Sequence, residues 1–276
     1  MAPERFRYCL DQLRRLDHDR YLSVLLAPAE RRAPLAALGA LEAELDHIPQ
    51  TVSEPMLGQI RFQWWRDTLE QMTPTSHPGH EVAEALVDTL FVGGLSPSDL
   101  LPMIDLRSAQ LTAEPFATTR DLVTSVEQLV KVSLEARLAL MAGSKTVGID
   151  MLVAEGIVRH LRRIPFEAGA ERLSLPLDLM RTYDVDPHDM FAGVARPGFK
   201  ALVAELRHLA SERYKLGAGV RVTNVSELHV LLPASLVPLY LRKMAATDFD
   251  LLHHSCEVPA FRRQLRLIRV LATKRF

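Results

Sequence analysis

The segment over residues 35–66 constrains the fold of this chain most, because its apolar residues recur at the helical period. From position 35 to 48, every third or fourth residue is leucine or isoleucine, at Leu35, Leu38, Leu41, Leu45 and Ile48. This spacing predicts a long amphipathic helix over residues 29–48. Pro49 follows, and it cannot donate a hydrogen bond to the carbonyl of Leu45, so we expect the helix to end there.

The rest of the chain repeats the helical pattern. Further helices or short apolar segments are predicted at 3–16, 21–26, 55–72, 81–92, 97–112, 118–142, 151–164, 199–216, 233–246 and 258–273. Ser53 is predicted to cap the helix that starts at Pro55, and Pro165 is predicted to end the helix over 151–164. Polar and apolar residues alternate only over 172–175, and no run of strands with hairpin turns is present. The sequence therefore predicts an all-α fold, organised as one domain over residues 1–276.

Composition excludes several classes of protein. The 276 residues are enough for a large core, and a formal net charge of -1 lacks the basic field that nucleic-acid binding requires. The only cysteines, Cys9 and Cys256, stand at opposite ends, which argues against a disulfide framework and for a reducing compartment. No apolar run approaches the roughly 20 residues of a membrane-spanning helix. The N-terminal stretch lacks a signal-peptide pattern, and we expect it to be part of the fold.

Two carboxylates within the first long helix are candidates for chemistry. Glu42 and Asp46 are four residues apart, so they share one face of a helix. Paired carboxylates on facing helices can hold Mg²⁺ against a diphosphate, because hard oxygen ligands suit a hard cation. Glu42 and Asp46 are therefore candidate catalytic and metal-binding residues. The alternative is a solvated pair on the polar face of an amphipathic helix.

Residues 19–70, which begin DRYLSVLLAPAERR and end QIRFQWWRDTLE, resemble the front of the squalene/phytoene synthase family. In that family an Asp-x-x-x-Asp motif occupies this helix. Here it would fall on Asp46 to Gln50, so the first aspartate is present and the second is glutamine. The resemblance implies an isoprenoid-synthase-like bundle of many helices around a central cavity. It also implies a reaction that joins two prenyl diphosphates with Mg²⁺.

A second resemblance lies further along the chain. The segment ERLSLP, which ends at Pro176, is similar to the one that follows the family's second aspartate-rich motif. It aligns the preceding helix, in which Arg162 and Phe166 stand where the family has aspartates. A guanidinium repels Mg²⁺ and cannot ligate it. The resemblance therefore implies that the metal-dependent chemistry is lost. We expect no cofactor, with Mg²⁺ needed only if the chain is an active enzyme.

Three arginines on that helix allow two interpretations. They are Arg159, Arg162 and Arg163. In the first interpretation they bind an anion directly, such as a prenyl diphosphate or a phospholipid headgroup, with Tyr21 and Arg61 as further candidate ligand contacts. In the second, an arginine pairs with Glu42 or Asp46 and closes the metal site, because a buried carboxylate needs a partner.

Trp64 is predicted to pack into the core, because a large aromatic residue at helical spacing usually does so. The predicted face of its helix comprises Leu57, Ile60, Trp64, Thr68 and Leu69. The C-terminal helix is basic and contains no acidic residue; its arginines are Arg262, Arg263, Arg266 and Arg269. Its apolar face comprises Phe261, Leu265, Ile268 and Ala272. Such a helix lies on an anionic membrane or in the groove of a partner, or else it packs into the fold with its basic face in solvent.

The resemblance spans residues 20–276, and the degenerate motifs are most similar to one branch of the family. That branch is related to the mitochondrial assembly factor of respiratory complex I. The resemblance implies a non-catalytic assembly factor or isoprenoid- or lipid-binding factor. Its expected partners are complex I subunits or other assembly factors, and an isoprenoid or phospholipid. Its expected location is the cytoplasm or the matrix side of the mitochondrial inner membrane, at the membrane periphery. The alternative is an active prenyltransferase acting on farnesyl or geranylgeranyl diphosphate.

Overall fold

Every regular element in the described part of the chain is a helix, which confirms the all-α prediction. The structure, a computed structural model, describes residues 2–52, 54–111, 114–143, 148–219 and 221–276. The chain divides into two compact units. Unit 1 comprises Met1–Ala113, Lys131–Lys145 and Asn224–Val230, and unit 2 comprises Glu114–Val130, Thr146–Thr223 and Leu231–Phe276. That residues 1–276 form a single domain stays a prediction.

Fourteen α-helices follow one another in the described part of the chain. They are α1 Pro3–Leu16, α2 His18–Leu25, α3 Ala29–Thr51, α4 Pro55–Glu70, α5 Glu81–Gly93, α6 Leu101–Ala109, α7 Thr119–Leu140, α8 Ile149–Gly169, α9 Leu177–Thr182, α10 Pro187–Phe191, α11 Pro197–Ala218, α12 Val225–Leu231, α13 Val237–Met244 and α14 Ala260–Thr273. Short 3₁₀ helices at Pro97–Leu100 and Leu232–Leu236 precede α6 and α13. The alternating stretch over residues 172–175 is irregular rather than a strand. Ser53, the predicted cap, lies outside the described residues.

Proline starts many of these helices. It stands in the first turn of six α-helices, at Pro3, Pro55, Pro102, Pro187, Pro197 and Pro238. The amides of the first turn have no partner within the helix, so a residue without an N–H costs little there. This explains how six of the 17 prolines are accommodated in α-helices.

Pro49 does not end its helix, contrary to the prediction. α3 continues to Thr51, two residues beyond the proline. The amide of Gln50 donates to the carbonyl of Asp46 at 3.1 Å, and the hydroxyl of Thr51 donates to the carbonyl of His47 at 3.3 Å. A proline this close to a helix end removes a single backbone hydrogen bond and leaves the rest of the helix intact.

Pro165 lies inside α8 and also does not end its helix. The residues around it, Leu161, Ile164 and Ala168, are buried in unit 2. Their packing holds the last turns of the helix in place although one backbone hydrogen bond is lost. The predicted end at residue 164 was therefore wrong, because tertiary packing outweighed local propensity.

α3 forms the centre of unit 1. Leu38, Leu41 and Leu45 are fully buried, which confirms the predicted apolar stripe. α1 and α5 pack against this helix, and α2 and α4 flank it. Neighbouring helices so enclose α3 that it has almost no polar face, and any charged group on it must find a partner inside the unit.

The orientation of α4 differs from the prediction. Trp65 is 3% exposed and Phe62 is also buried, whereas Trp64 is 40% exposed. The Trp64 ring rests against the rings of Trp65 and His80, with centroids 4.9 and 5.2 Å apart. Apolar residues occur all round this helix, so periodicity alone did not identify the buried side.

Unit 2 is built on the packing of α8 against α11. Ile157 and Leu161 of α8 and Leu202 and Leu206 of α11 are fully buried between them. Gly156 brings α8 close to the start of α7; a Cβ atom there would lie 2.5 Å from a methyl group of Val126. α14 packs on the 3₁₀ helix Leu232–Leu236.

Candidate functional site

Glu42 is the carboxylate at the centre of unit 1, and its side chain is 0% exposed. The interpretation of a solvated pair is therefore wrong for Glu42. Burying an unpaired carboxylate costs several kcal/mol, so its counter-charges decide what this site can do.

Two guanidiniums neutralise Glu42. Nη1 of Arg20, on α2, lies 2.7 Å from Oε2, and Nη2 of Arg137, on α7, lies 2.6 Å from the same oxygen. The hydroxyl of Ser133, one turn before Arg137, donates a short hydrogen bond to Oε1. Both carboxylate oxygens are thus engaged by side chains from other helices.

The pKa of Glu42 lies below its ordinary value. Burial alone would raise it, but the charges of Arg137, Arg20 and Arg107 and the hydrogen bond from Ser133 outweigh that effect. The group is therefore an ionised carboxylate held between cations. It is not placed to accept or deliver a proton near neutral pH.

Asp46, one turn further along α3, is also paired. Its Oδ1 accepts a hydrogen bond from Nε of Arg107 at 2.7 Å, and Arg107 is a buried residue of α6. Gln50, which replaces the second aspartate of the predicted motif, turns its amide back to the carbonyl of Asp46. The three positions therefore serve ion pairing and helix closure within unit 1.

Sequence reasoning missed Arg20, Arg107, Ser133 and Arg137. One signal was available: Ser133 and Arg137 are four residues apart, so they share a face of α7. Nothing in the sequence connects that face to Glu42, because Arg137 and Glu42 are 95 positions apart. The sequence did predict that an arginine pairs with Glu42 or Asp46. The arginines it named are on α8, whereas the observed partners are on α2, α6 and α7.

The arginines of α8 belong to unit 2, where each has a carboxylate neighbour. Arg159 lies 3.5 Å from Glu155 and Arg163 lies 3.1 Å from Glu167, both one turn away on the same helix. The predicted roles of Arg159, Arg162 and Arg163 in ligand binding stay predictions. Any anion would compete with these carboxylates for the guanidiniums.

Arg162 takes part in a larger cluster within unit 2. Its Nη2 lies 2.7 Å from Oε1 of Glu257, and its guanidinium lies over the ring of Tyr240 at 4.3 Å from the centroid. Arg263 of α14 lies 3.2 Å from the other oxygen of Glu257. Glu257 thus joins α8 to α14, a role that spacing along the chain does not reveal.

The remaining candidate residues lie apart from these clusters. Tyr21 packs its half-buried ring against the core of unit 1 and against His18. Arg61 is exposed on α4 and donates to the hydroxyl of Thr51 at 2.8 Å. A role for Tyr21 or Arg61 in ligand binding stays a prediction.

The four arginines predicted to face a membrane or partner divide into two pairs. Arg262 and Arg269 are exposed. Arg263 is buried, and Arg266 donates to the carbonyl of Ser235 and to the hydroxyl of Tyr214. The prediction is therefore corrected for Arg263 and Arg266, whose guanidiniums are used inside unit 2.

The family model described as "Squalene/phytoene synthase" matches residues 13–266. The chain belongs to the squalene/phytoene synthase family. Among solved structures, a dehydrosqualene synthase superposes with a TM-score of 0.73 at 15% identity, over 98% of this chain and 96% of that chain. A squalene synthase from Alicyclobacillus acidocaldarius superposes with a TM-score of 0.65 at 14% identity, over 87% of this chain and 94% of that chain. These likenesses confirm the predicted fold.

Among curated proteins, "NADH dehydrogenase (ubiquinone) complex I, assembly factor 6" of Rattus norvegicus is 29% identical over 92% of this chain and 78% of its own length. The Bos taurus protein of the same name is 29% identical over 91% and 77%. A phytoene synthase from Thermus thermophilus is 32% identical, over 42% of this chain and 40% of its own length. The similarity to the assembly factors thus extends along most of the chain, and the similarity to the synthase along less than half.

The donors present do not fit the magnesium that the family's reaction implies. Within the described residues, no three His, Cys, Asp or Glu side chains lie together in a way that could hold a metal ion. Glu42 and Asp46 are both bound by arginines, and Gln50 faces the backbone. A carboxylate held by guanidiniums is a poor ligand, because Mg²⁺ would have to displace a cation. This arrangement supports a packed core, and it does not provide metal-assisted ionisation of a diphosphate.

Proposed function

We propose that this chain is a non-catalytic member of the squalene/phytoene synthase family that acts in the assembly of respiratory complex I. The observation that carries the proposal is the pairing of Glu42 with Arg20 and Arg137. The arginines supply inside the protein the positive charge that a metal would bring to this carboxylate. In this proposal the chain retains the fold of a prenyl synthase and works without Mg²⁺.

The similarity to known proteins supports the same conclusion. The relatives that match over most of the chain are named as assembly factors of complex I. The synthase match covers 42% of the chain. We propose that the partners are complex I subunits or other assembly factors.

We propose a location at the matrix side of the mitochondrial inner membrane, or in the cytoplasm at the corresponding face of a bacterial membrane. In the described parts of the chain, no helix combines the length and apolar character needed to cross a bilayer. Contact with a membrane would then take place at its surface.

We also propose a ligand, an isoprenoid or a phospholipid, with its anionic head near Arg159, Arg162 or Arg163. Arginine suits this role because its planar fork matches phosphate oxygens. Tyr21 and Arg61 belong to unit 1 and stay separate candidate ligand contacts, outside this proposal. Membership of the family supports the proposal, since the matching family model is described as "Squalene/phytoene synthase".

The first experiment tests for catalysis. The purified protein is incubated with Mg²⁺ and farnesyl or geranylgeranyl diphosphate, and pyrophosphate release is measured. We expect no release above a sample without protein. Release that disappears in Asp46→Ala, and persists in the matched surface variant Asp67→Ala, would identify an active prenyltransferase and refute the proposal.

The second experiment tests for assembly. The gene is deleted in its native host, and assembled complex I is measured by native gel electrophoresis and by NADH oxidation in membranes. We expect less assembled complex after deletion, and full restoration by the wild type and by Asp46→Asn alike. Normal amounts of the complex after deletion would refute the assembly role. Failure of a folded Asp46→Asn variant would show that carboxylate chemistry is required.

A further inference from the structure

α14 has two apolar faces, and unit 2 uses only one of them. Leu267 and Val270 are fully buried, and the guanidinium of Arg263 meets Glu257 on the same side. The helix is held at its end as well, because the amide of Val222 donates to the carbonyl of Lys274 at 3.1 Å. The helix therefore cannot roll to bury its opposite side.

The opposite side is apolar and exposed. Phe261, Leu265 and Ile268 are 58%, 63% and 52% exposed. They are spaced four and three residues apart, so they point in nearly one direction, and Ala272 continues the row. We call these four residues the outer face of α14. A row of large apolar side chains in this setting indicates a surface that binds something.

The charges beside the outer face indicate what it binds. α14 contains no Asp or Glu, and its exposed arginines, Arg262 and Arg269, lie along one edge of the outer face. Arg266 is held by Ser235 and Tyr214 and is not part of this edge. Apolar side chains edged by cations are the pattern of helices that lie in the headgroup region of anionic membranes.

We propose that the outer face of α14 docks on an anionic lipid bilayer. Phe261, Leu265 and Ile268 would enter the boundary between headgroups and acyl chains, and Arg262 and Arg269 would contact lipid phosphates. The face is about 10 Å wide and about 17 Å long, so its area is on the order of 200 Å². This is well below the roughly 800 Å² that each partner contributes to a stable protein interface. A bilayer sets no such requirement. The proposal is independent of the role in complex I assembly.

The test is co-sedimentation with vesicles of phosphatidylcholine alone or with about 30% phosphatidylglycerol added. We expect the wild type to bind the anionic vesicles and to be released by salt. Leu265→Gln with Ile268→Gln should lower the partition coefficient by roughly tenfold or more, because two apolar contacts are lost. Arg262→Gln with Arg269→Gln should lower it by roughly tenfold and weaken its salt dependence. All four positions are exposed, so folding should be retained.

Two control variants separate this face from general stickiness. Met56→Gln with Ile60→Gln removes equally exposed apolar residues from α4, and Arg120→Gln with Arg181→Gln removes two exposed arginines elsewhere in unit 2. Both controls should bind like the wild type. The proposal is overturned if the wild type ignores anionic vesicles, or if the α14 variants bind as well as the controls do. It is also overturned if light scattering shows that the α14 variants dissociate a dimer, since the face would then join two copies.

Discussion

The carboxylate of Glu42 lies 2.6 Å from the guanidinium of Arg137, a residue 95 positions later in the chain. Arg20 approaches the same oxygen at 2.7 Å. One buried anion between two largely buried cations is stable only while all three are present, because each charge compensates the desolvation of the others. Glu42 is thus bound by two guanidiniums, although its four-residue spacing from Asp46 made it a candidate metal ligand.

Glu42→Gln should therefore destabilise unit 1 severely. The variant leaves two buried guanidiniums with less compensation, and we expect the free energy of unfolding to fall by about 3 kcal/mol or more. The pKa of Glu42 is lowered in the folded protein. The greater unfolding free energy of the wild type is therefore present above the ordinary pKa of 4.5, and it is lost as the pH falls below that value. Urea unfolding near neutral pH measures the difference.

A matched control for this variant is Glu257→Gln. Glu257 also meets two arginines, but its side chain is 56% exposed. Water screens the exposed pair with Arg162, whereas Arg263 is 7% exposed but also reaches the hydroxyl of Tyr240 at 3.5 Å. The expected loss in unfolding free energy is therefore about 1–2 kcal/mol, smaller than for Glu42→Gln. Equal losses in the two variants would contradict the view that burial gives Glu42 its importance.

Glu44 should make stability depend on pH in the opposite sense. Burial raises the pKa of its carboxyl to about 7; Arg15 lowers the pKa and Glu81 raises it. This pKa is above the ordinary value of 4.5. The contribution of the Glu44 carboxyl to folding stability is therefore fully present below pH 4.5 and is lost as the pH rises through 7. Glu44→Gln should leave stability unchanged in acid and raise it by up to about 3 kcal/mol above neutrality.

The measurement for Glu44 is a pair of urea titrations of the wild type and Glu44→Gln, near pH 5 and near pH 8, where the two ionisation states are resolved. The difference in unfolding free energy between Glu44→Gln and the wild type should increase with pH. A constant gap across this range would mean that Glu44 titrates at an ordinary pKa.

The two tryptophans of α4 should differ sharply in their contribution to stability. Trp65→Ala removes a side chain that is 3% exposed, and we expect a loss of about 3–5 kcal/mol in unfolding free energy. Trp64→Ala removes a half-exposed ring that rests on Trp65 and His80, and we expect about 1 kcal/mol. Thermal unfolding followed by circular dichroism compares them. A larger loss for Trp64 would restore the original prediction from helical spacing.

Neither thiol should react in the folded protein. Burial raises the pKa of Cys9 to about 12 and that of Cys256 to about 11, so almost no thiolate is present at pH 8. We expect a chromogenic disulfide reagent to label no thiol within minutes under native conditions and both thiols in denaturant. Fast labelling of one thiol in the native state would show that its surroundings open readily.

Local patterns in the sequence predicted much of the architecture. Two such patterns are the three- and four-residue spacing of leucines in α3 and the prolines at helix starts. Both act on residues within one or two turns. The all-α class and the approximate positions of most helices follow from them. Where the prediction was wrong, at Pro49 and Pro165, the proline removed one backbone hydrogen bond and the neighbouring turns stayed helical. At Pro165, buried neighbours hold those turns in place.

The sequence by itself determined that Glu42 and Asp46 share a helix face, and that α14 is basic with no acidic residue. Only the tertiary structure decided that Glu42 is enclosed by Arg20 and Arg137, and that the outer face of α14 remains uncovered. The physical reason is range. Helical periodicity depends on residues three or four positions apart, whereas the partner of a buried charge and the covered side of a helix depend on which distant segments pack together.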